Sequence, residues 1–328
     1  MEAFLLEKGL NPNTAKTYAY FYTKIVEKVF KKVEPEDMLS DETVDKVLEY
    51  IKNSDLTTGS KTAYIRAWRG ISMRKHPGRD NKKLADYVKK CTRELDYAPA
   101  SEKEVSNKIS MSFIIGKREE HKAKLTNKFH TNDMYYLLCC FYTYLPPLRS
   151  QDYYNTVIKT EETNTEKENY YDIESKQLVL NNYKTGKSYG QRVVDFPDVL
   201  AEAVENFHNK SNSKYLICSR TGGKLDANSF KKAMNTCIKK HVSSSMIRKC
   251  FISDKIDVGI TAEERKKTAK IMGHSISTQQ AIYSKFSDVL HPQDDDFNYL
   301  VRRHEQLIKQ LKENNDRMYA LVMKKHEK

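Results

Sequence analysis

Glycine and proline are scarce in this chain, and their scarcity constrains its fold more than any other sequence feature. Only 11 glycines and 8 prolines occur among 328 residues, which is roughly half of the average usage of these two residues. Both residues interrupt regular structure, so a chain that has few of them favours long helices over a β-sandwich or barrel. The sequence therefore predicts a mainly α fold.

Hydrophobic periodicity divides the chain into parts that differ in their predicted secondary structure. Four helices are predicted in the first part, at about 14–30, 40–51, 58–74 and 81–95. They give an all-α domain over residues 1–97. Periodicity then weakens and polar residues dominate, so residues 98–124 are predicted to form an interdomain linker.

The second part mixes helices with strands. Residues 177–183 and 191–196 have strand patterns around a KTGKSYG turn, which predicts a β-hairpin. Further elements are predicted as helices at 131–144, 197–209, 227–240, 244–252 and 262–272 and a short strand at 215–219. Residues 125–293 are thus expected to form an α+β domain. An apolar seam over residues 294–328 predicts an amphipathic helix, which either multimerises the protein or packs on its own domain.

The cysteines and the opening residues indicate an intracellular protein that is not secreted. The six cysteines contain no CxxC pair, and the opening MEAFLLEKGL lacks the cationic and apolar regions of a signal peptide. No run of about 18 apolar residues is present, so no membrane contact is expected. Histidines and cysteines never fall into metal-ligand spacing, so neither a metal nor another cofactor is expected.

The chain is basic, and each predicted domain contains one basic stretch without an acidic residue. Lysine and arginine number 57 against 44 aspartates and glutamates, which gives a formal net charge of +13. The stretches are residues 59–79 and 227–253, one in each domain. A charge run is often an ordinary solvated surface, but the two together predict a clamp that contacts double-stranded DNA through its phosphates. The predicted contacts are Lys61, Arg66, Arg69, Arg74, Lys231, Lys232, Lys239 and Lys240.

Motifs of several common enzyme classes are missing from the sequence. A Gly-rich phosphate loop, HExxH, GxSxG and CxxC are all absent. Four other segments of the second domain carry arginine, lysine, arginine and histidine in order, and a tyrosine follows. They are 145–152 (LPPLRSQD), 184–187 (KTGK), 245–249 (SMIRK) and 272–275 (MGHS), with Tyr283 nine residues after the histidine.

In this order and spacing, the segments resemble the tyrosine recombinases, the integrase family whose catalytic domain also underlies type IB topoisomerases. The resemblance covers essentially the whole chain, since residues 5–18 (LLEKGLNPNTAKTY) are similar to the first helix entry of the family. It implies a helical, SAM-like core-binding domain and an α+β catalytic domain with a β-hairpin. The likeness is greatest to integrases of mobile elements and large DNA viruses.

The resemblance also implies the catalytic residues. They are Arg149, Lys184, Arg248, His274 and Tyr283. Tyr283 would attack a phosphodiester and keep the bond energy as a phosphotyrosine ester, so that neither ATP nor a metal is required. Arg149 and Arg248 would hold the non-bridging oxygens, with His274 as a further donor. Lys184, on the hairpin, would protonate the leaving 5′ oxygen.

Three further residues surround this set. Asp152, one helical turn after Arg149, is expected to orient its neighbours, and Lys187 is the alternative to Lys184. Ser245 stands where the family has the histidine of HxxR, and serine is a poor base at neutral pH. Another group or water must then accept the tyrosine proton. His241, four residues earlier, is expected about one turn away on the same helix.

The sequence therefore predicts a site-specific DNA recombinase or integrase. It would assemble on DNA as a dimer to tetramer through its C-terminal helix, in the host nucleus or at a viral replication site. Two alternatives stay open. A type IB topoisomerase shares the catalytic residues but relaxes supercoils as a monomer, and a catalytically impaired accessory protein would bind DNA without cleaving it. The apolar seam favours the recombinase.

Overall fold

Five helices make up residues 1–98 in a computed structural model, which describes residues 1–98, 100–279 and 286 of the chain. These helices are α1 (Glu2–Glu7), α2 (Pro12–Val29), α3 (Asp41–Lys52), α4 (Thr58–Lys75) and α5 (Lys82–Tyr97). They form one compact unit, called unit 1, and unit 2 follows it. Helices α2 to α5 lie where the sequence predicts them, whereas α1 is an additional helix.

Short polar side chains begin the helices of unit 1. Asn11, Ser40, Thr57 and Asn81 are the N-caps of α2 to α5, and each side chain accepts a hydrogen bond from a backbone N–H of the first turn. Such caps satisfy donors that have no partner within the helix. Local sequence signals therefore fix where these helices start.

The core of unit 1 is built around its tryptophan. Trp68 on α4 is fully buried, and its ring stacks on those of Tyr22 and Phe30 with centroids 5.6 and 5.7 Å away. Its indole N–H donates to the carbonyl oxygen of Met38 at 3.2 Å. The side chain thus joins α2 and α4 to the segment before α3, which makes it a sensitive reporter of this core.

Unit 2 combines helices with one small sheet. Its described helices are α6 (Glu102–Ser106), α7 (Met111–Lys122), α8 (Thr131–Thr143), α9 (Ser150–Tyr154), α10 (Gly186–Tyr189), α11 (Asp198–Ser211), α12 (Ala227–Ile238), α13 (Ser244–Asp257), α14 (Ala262–Met272) and α15 (Ile276–Thr278). Its strands are β1 (Thr156–Ile158), β2 (Asn169–Asp172), β3 (Gln177–Leu180) and β4 (Arg192–Asp195). The predicted fold class, mainly α with an all-α domain and an α+β domain, is confirmed.

The sheet has the order β1-β2-β3-β4 and contains the predicted hairpin. Strands β1 and β2 are parallel, and the two later pairs are antiparallel, with Leu178 opposite Val194. The connection from β3 to β4 holds the short helix α10. Along β4, Arg192 and Val194 point inward while the residues that follow each of them are exposed. The strand alternation therefore directs one arginine into the protein.

Two sequence predictions about unit 2 are wrong. Residues 98–124 are not a linker, because α6 and α7 form there and α7 packs along α8 with Ile109 and Ile114 buried. The many charged residues of this segment cover its outer side, which hides the few apolar positions. Residues 215–219 do not form a strand but make two isolated bridges, from Tyr215 to Val157 and from Cys218 to Lys224.

Several predictions concern residues outside the described part. Tyr283 and the amphipathic helix over 294–328 both lie there. Phe286 is described, and it is buried in the main core of unit 2. None of the described helices has the length and apolar character that a bilayer crossing requires.

Replacing Ile65 with alanine should destabilise unit 1 by about 2–5 kcal/mol, because Ile65 is fully buried and its loss leaves a cavity. Val33 is 72% exposed, so Val33→Ala is the control and should change the free energy of unfolding by less than about 0.5 kcal/mol. The measurement is urea unfolding followed by the fluorescence of Trp68, the single tryptophan of the chain. Equal effects of the two substitutions would contradict the packing of unit 1.

Candidate active site

Arg149 lies at the start of a short helix, in a turn that a buried carboxylate holds. It is the N-cap of α9. Asp152, fully buried in the first turn of α9, accepts a hydrogen bond from the backbone N–H of Arg149 at 3.2 Å. The Arg149 side chain is half-buried, and its Nη1 has no hydrogen-bond partner among the described residues. Asp152 therefore positions the backbone of Arg149, while Nη1 of the guanidinium keeps a donor that no described residue uses.

Arg248 is fully buried on α13 and bridges two segments that carry other predicted residues. Its Nη1 donates to the carbonyl oxygen of Pro147 at 2.7 Å, and its Nη2 donates to that of Met272 at 3.0 Å. Pro147 lies two residues before Arg149, and Met272 lies two residues before His274. The guanidinium thus links these two turns through their backbones. The predicted contact of Arg248 with a phosphate stays a prediction.

Residues 272–275, here called the His274 turn, end helix α14. Gly273 is the C-cap in the left-handed region with φ +65°, a conformation that glycine adopts without strain. His274 is buried, and its Nδ1 lies 3.2 Å from the carbonyl oxygen of Ser275. A carbonyl accepts hydrogen bonds, so Nδ1 carries the proton. In a neutral imidazole the other nitrogen, Nε2, is then an acceptor.

A third arginine, which the sequence analysis missed, belongs to this cluster. Arg192 on β4 is 6% exposed, and its Nη2 donates to Asp152 at 3.1 Å. Its guanidinium lies 4.5 Å from the centroid of the Tyr183 ring. A Cβ on Gly273 would come within 1.9 Å of Nη1, so the guanidinium rests directly against the His274 turn. The available signal was its inward-facing position in an alternating strand, where a charge requires a buried partner.

The three arginines act together on His274. Burial lowers the pKa of His274 to about 4, and the charges of Arg248, Arg149 and Arg192 contribute to the shift. Each of these charges disfavours a second positive charge on the imidazole. The structure therefore brings together three of the predicted catalytic residues with Asp152, and His274 is neutral at pH 7.

The β3–β4 connection brings the lysine candidates to the same region. Thr185 Oγ1 donates to the carbonyl oxygen of Gly273 at 3.2 Å, so the connection contacts the His274 turn. Lys184 and Lys187 flank this contact and are both exposed. Either lysine is available as a proton donor, and the choice between them stays open.

Ser245 and His241 line one cavity of about 600 Å³. Ser245 is exposed in the first turn of α13. The expectation that His241 lies on the same helix is wrong, because Ser243 is the N-cap of α13 and His241 precedes it. The ion pair of Lys249 with Glu104 also lines this cavity. Ser245 and His241 therefore line the same cavity, although they do not lie on the same helix.

The predicted DNA contacts of unit 1 are engaged within that unit. The acceptors are the Lys52 carbonyl for Lys61, the Thr92 hydroxyl for Arg66, the Asp80 carboxylate for Arg69 and the Gly70 carbonyl for Arg74. Ion pairs join Arg69 to Asp80, Lys75 to Glu34 and Arg79 to Asp37. The stretch that is acid-free in sequence is thus partly neutralised in space, because the fold brings distant carboxylates to it. Its contact with DNA stays a prediction.

The predicted DNA contacts of unit 2 are exposed. Lys231 and Lys232 lie on α12, and Lys239 and Lys240 follow its end. Lys240 also donates to the carbonyl oxygen of Lys108 at 3.0 Å. Contact of these lysines with DNA stays a prediction. Across residues 1–98 and 100–279, no three His, Cys, Asp or Glu side chains gather in a way that would hold a metal ion.

Solved structures of a recombinase and an integrase are similar to this chain. A crystal structure of XerA recombinase is 14% identical with a TM-score of 0.38, and the match covers 93% of this chain and 96% of that one. The Tn1549 transposon integrase in complex with transposon right end DNA is 14% identical with a TM-score of 0.49, covering 92% and 95%. The same integrase with a circular intermediate DNA is 16% identical with a TM-score of 0.48, covering 91% and 95%.

No protein-family model and no curated protein sequence matches the chain. Functional roles for this chain therefore rest on its own residues and their geometry.

Stability should fall as the pH is lowered from 7 to 5, and His274 should account for part of the loss. The pKa of His274 is about 4 in the folded chain, against roughly 6.5 for an unfolded histidine, so the unfolded state binds the proton first. The stabilising contribution is complete above pH 6.5 and is lost as the pH falls toward 4. Between pH 6.5 and 5 the expected loss is on the order of 2 kcal/mol.

The measurement is urea unfolding of the native chain and of His274→Gln at pH 7 and pH 5. The variant should lose less stability between these values than the native chain, because glutamine binds no proton. An equal loss in both proteins would show that His274 is not held neutral by its surroundings.

Proposed function

We propose that this chain is a tyrosine recombinase, which cuts and rejoins DNA strands through a covalent bond between a tyrosine and a 3′ phosphate. The observation that carries the proposal is the convergence of three arginines on one buried histidine, where Arg149, Arg192 and Arg248 all act on His274. Guanidiniums so placed favour an anion, and a phosphodiester offers oxygens that fit their forked donors.

Tyr283 supplies the nucleophile. It lies outside the described residues, and the sequence places it between Gln279 and Phe286, which are both buried in unit 2. The phenol oxygen attacks phosphorus, the bond from phosphorus to the 5′ oxygen breaks, and a 3′-phosphotyrosine ester forms. Attack of a 5′ hydroxyl on this ester reverses the step, so rejoining needs no ATP.

The arginines stabilise the negative charge of the reacting phosphate, and the hairpin lysine protonates the leaving oxygen. Negative charge develops on the non-bridging oxygens as the pentavalent state forms. Arg149 stabilises it, since its Nη1 has no partner within the described part of the chain. Lys184, or Lys187 in its place, gives a proton to the 5′ oxygen as that oxygen leaves. Both lysines lie on the connection that contacts the His274 turn.

His274 accepts the proton of the attacking phenol. Its Nδ1–H donates to the Ser275 carbonyl, so the neutral ring presents Nε2 as an acceptor. A donor role of Nε2 toward the phosphate, which the motif suggested, would need either the imidazolium, which burial and the arginines oppose, or a tautomer that gives up the bond to the Ser275 carbonyl. A bound phosphodiester adds a negative charge, which raises the pKa of His274 and makes it a better base. His274 then fulfils the role that Ser245 cannot.

Tyr283→Phe should abolish covalent capture of DNA while it leaves duplex binding nearly unchanged, because it removes one oxygen and no positive charge. Duplexes of randomised sequence that carry nicks at varied positions are incubated with the full chain, because a cut close to a nick releases a short fragment and prevents religation. Protein-bound strands are then recovered and sequenced. Tyr20→Phe is the matched control and should capture DNA as the native chain does, because Tyr20 is an exposed tyrosine of unit 1.

Capture by Tyr283→Phe would overturn the choice of nucleophile, and absence of capture by the native chain would favour the non-cleaving accessory protein. Light scattering on a captured duplex separates the remaining alternatives. We expect a dimer to tetramer that loses its assembly when residues 294–328 are removed. A monomer that relaxes supercoiled plasmid would instead favour a type IB topoisomerase.

His274→Asn should lower the capture rate roughly 10²–10⁴-fold, which is the usual contribution of a general base. The native rate should rise with pH on the acidic side of neutrality as His274 loses its proton, and this rise should disappear in the variant. The measurement is the single-turnover capture rate on a recovered duplex between pH 4.5 and 8. A variant that is slow but keeps the native pH profile would show that His274 has a different role.

A further inference from the structure

A pocket of about 500 Å³ lies beside the arginine cluster, between the β3–β4 connection and the His274 turn. Tyr183, Tyr189 and Arg192 line it from the hairpin side, and Lys266 and Lys270 line it from α14. His274 belongs to both the pocket and the cluster. The volume is in the usual range for small-ligand sites, roughly 300–1,000 Å³. The reaction proposed above leaves this pocket without a role.

Arg192 gives the pocket a buried cation with unused donors. Its guanidinium is always charged, and its Nε and Nη1 have no hydrogen-bond partner within residues 1–98, 100–279 and 286. A buried N–H group without an acceptor is unfavourable by about 1–3 kcal/mol, and more when the group is charged. Its one carboxylate contact, Asp152, uses Nη2. The remaining donors favour an anionic ligand at the pocket wall.

Two lysines add positive charge on the opposite wall. Lys266 and Lys270 are one turn apart on α14, so they lie on the same face of that helix, and both are exposed. Lys267 lies between them in sequence but lines a separate cavity of about 610 Å³. No aspartate or glutamate occurs among the described residues that line the pocket. The pocket therefore combines three cations with no compensating acid on its surface.

We propose that this pocket is a second phosphate site, which holds the DNA phosphate next to the one that is cleaved. The inference rests on the proposed function. His274 lines the pocket and also stands at the cleaved phosphate, so the two anions would be neighbours along one strand. The exposed ring of Tyr189 at the pocket offers a face on which a base can stack. A ligand with one isolated phosphate would not use both features.

The first test is the acetylation rate of individual lysines, measured by mass spectrometry on the full chain. The probes are a recovered duplex, or a mixed-sequence duplex of 30 base pairs if none is recovered, and thymidine 3′,5′-bisphosphate. Bound duplex should slow acetylation of Lys266 and Lys270 at least fivefold. Lys128, which is exposed and does not line the pocket, should be unaffected.

The second test couples one protein change to one DNA change. A neutral methylphosphonate beside the cleaved phosphate should slow covalent capture by the native chain roughly tenfold or more, as expected for losing a hydrogen bond to a charged group. Lys270→Gln should be slow on normal DNA and show little further loss on the modified DNA. Lys267 lies on the same helix, α14, but does not line the pocket. The methylphosphonate should therefore slow capture by Lys267→Gln as much as it slows capture by the native chain.

The outcomes separate the second site from the function on which it rests. Duplex that binds without protecting Lys266 and Lys270 overturns the second site alone. If the bisphosphate protects Lys266 and Lys270 from acetylation and the duplex does not, the pocket is a site for a free nucleotide and the second DNA phosphate site is overturned. If the methylphosphonate slows covalent capture equally in the native chain and in Lys270→Gln, the second phosphate site is also overturned. A chain that binds no duplex contradicts the second site and the proposed function together.

Discussion

The hydrogen bonds of Arg248 hold the candidate site together. Its guanidinium donates to main-chain carbonyls 101 residues before it and 24 residues after it, at Pro147 and Met272. Loss of the arginine would leave both buried carbonyls without this donor, at about 1–3 kcal/mol for each. Because these carbonyls adjoin the segments that present Arg149 and His274, the distance between those two side chains depends on a residue of a third element. A substitution of Arg248 would therefore disturb the geometry as well as the charge.

The resulting cluster creates a local field that is more informative than the net charge of +13. Many proteins are basic, and in unit 1 the fold neutralises several of the basic residues that the sequence singled out. Around His274 the positive charges are neutralised only in part. Burial and three arginine charges hold its pKa low, and Asp152 balances them in part through Arg192. A positive field in a region of low dielectric favours an anion strongly, and this preference is the basis of the proposed phosphodiester chemistry.

Local signals explain which parts of this structure could be predicted from the sequence. Helices of unit 1 begin at polar caps and carry apolar residues at helical spacing, so their positions follow from neighbouring residues. Apolar periodicity does not predict helix α7, because one of its two buried positions is the polar residue His121. Arg192 was missed for a related reason, since its partner Asp152 is 40 residues away. The ordered motif predicted Arg149, Arg248 and His274 as site residues, but their contacts with the backbone could be seen only in the folded chain.

Arg192 also makes the hairpin and the His274 turn depend on each other. Its guanidinium occupies the space that a side chain on Gly273 would need, and that glycine already has a positive φ, so two independent constraints select glycine there. Arg192 and Thr185 contact this turn at both ends of the segment that carries Lys187. In the proposed reaction, a phosphate that binds Arg192 would also act on this segment, which carries Lys187, one of the two candidate proton donors. Under the proposed function, binding of the DNA strand and placement of that lysine would therefore be coupled through one segment of the hairpin.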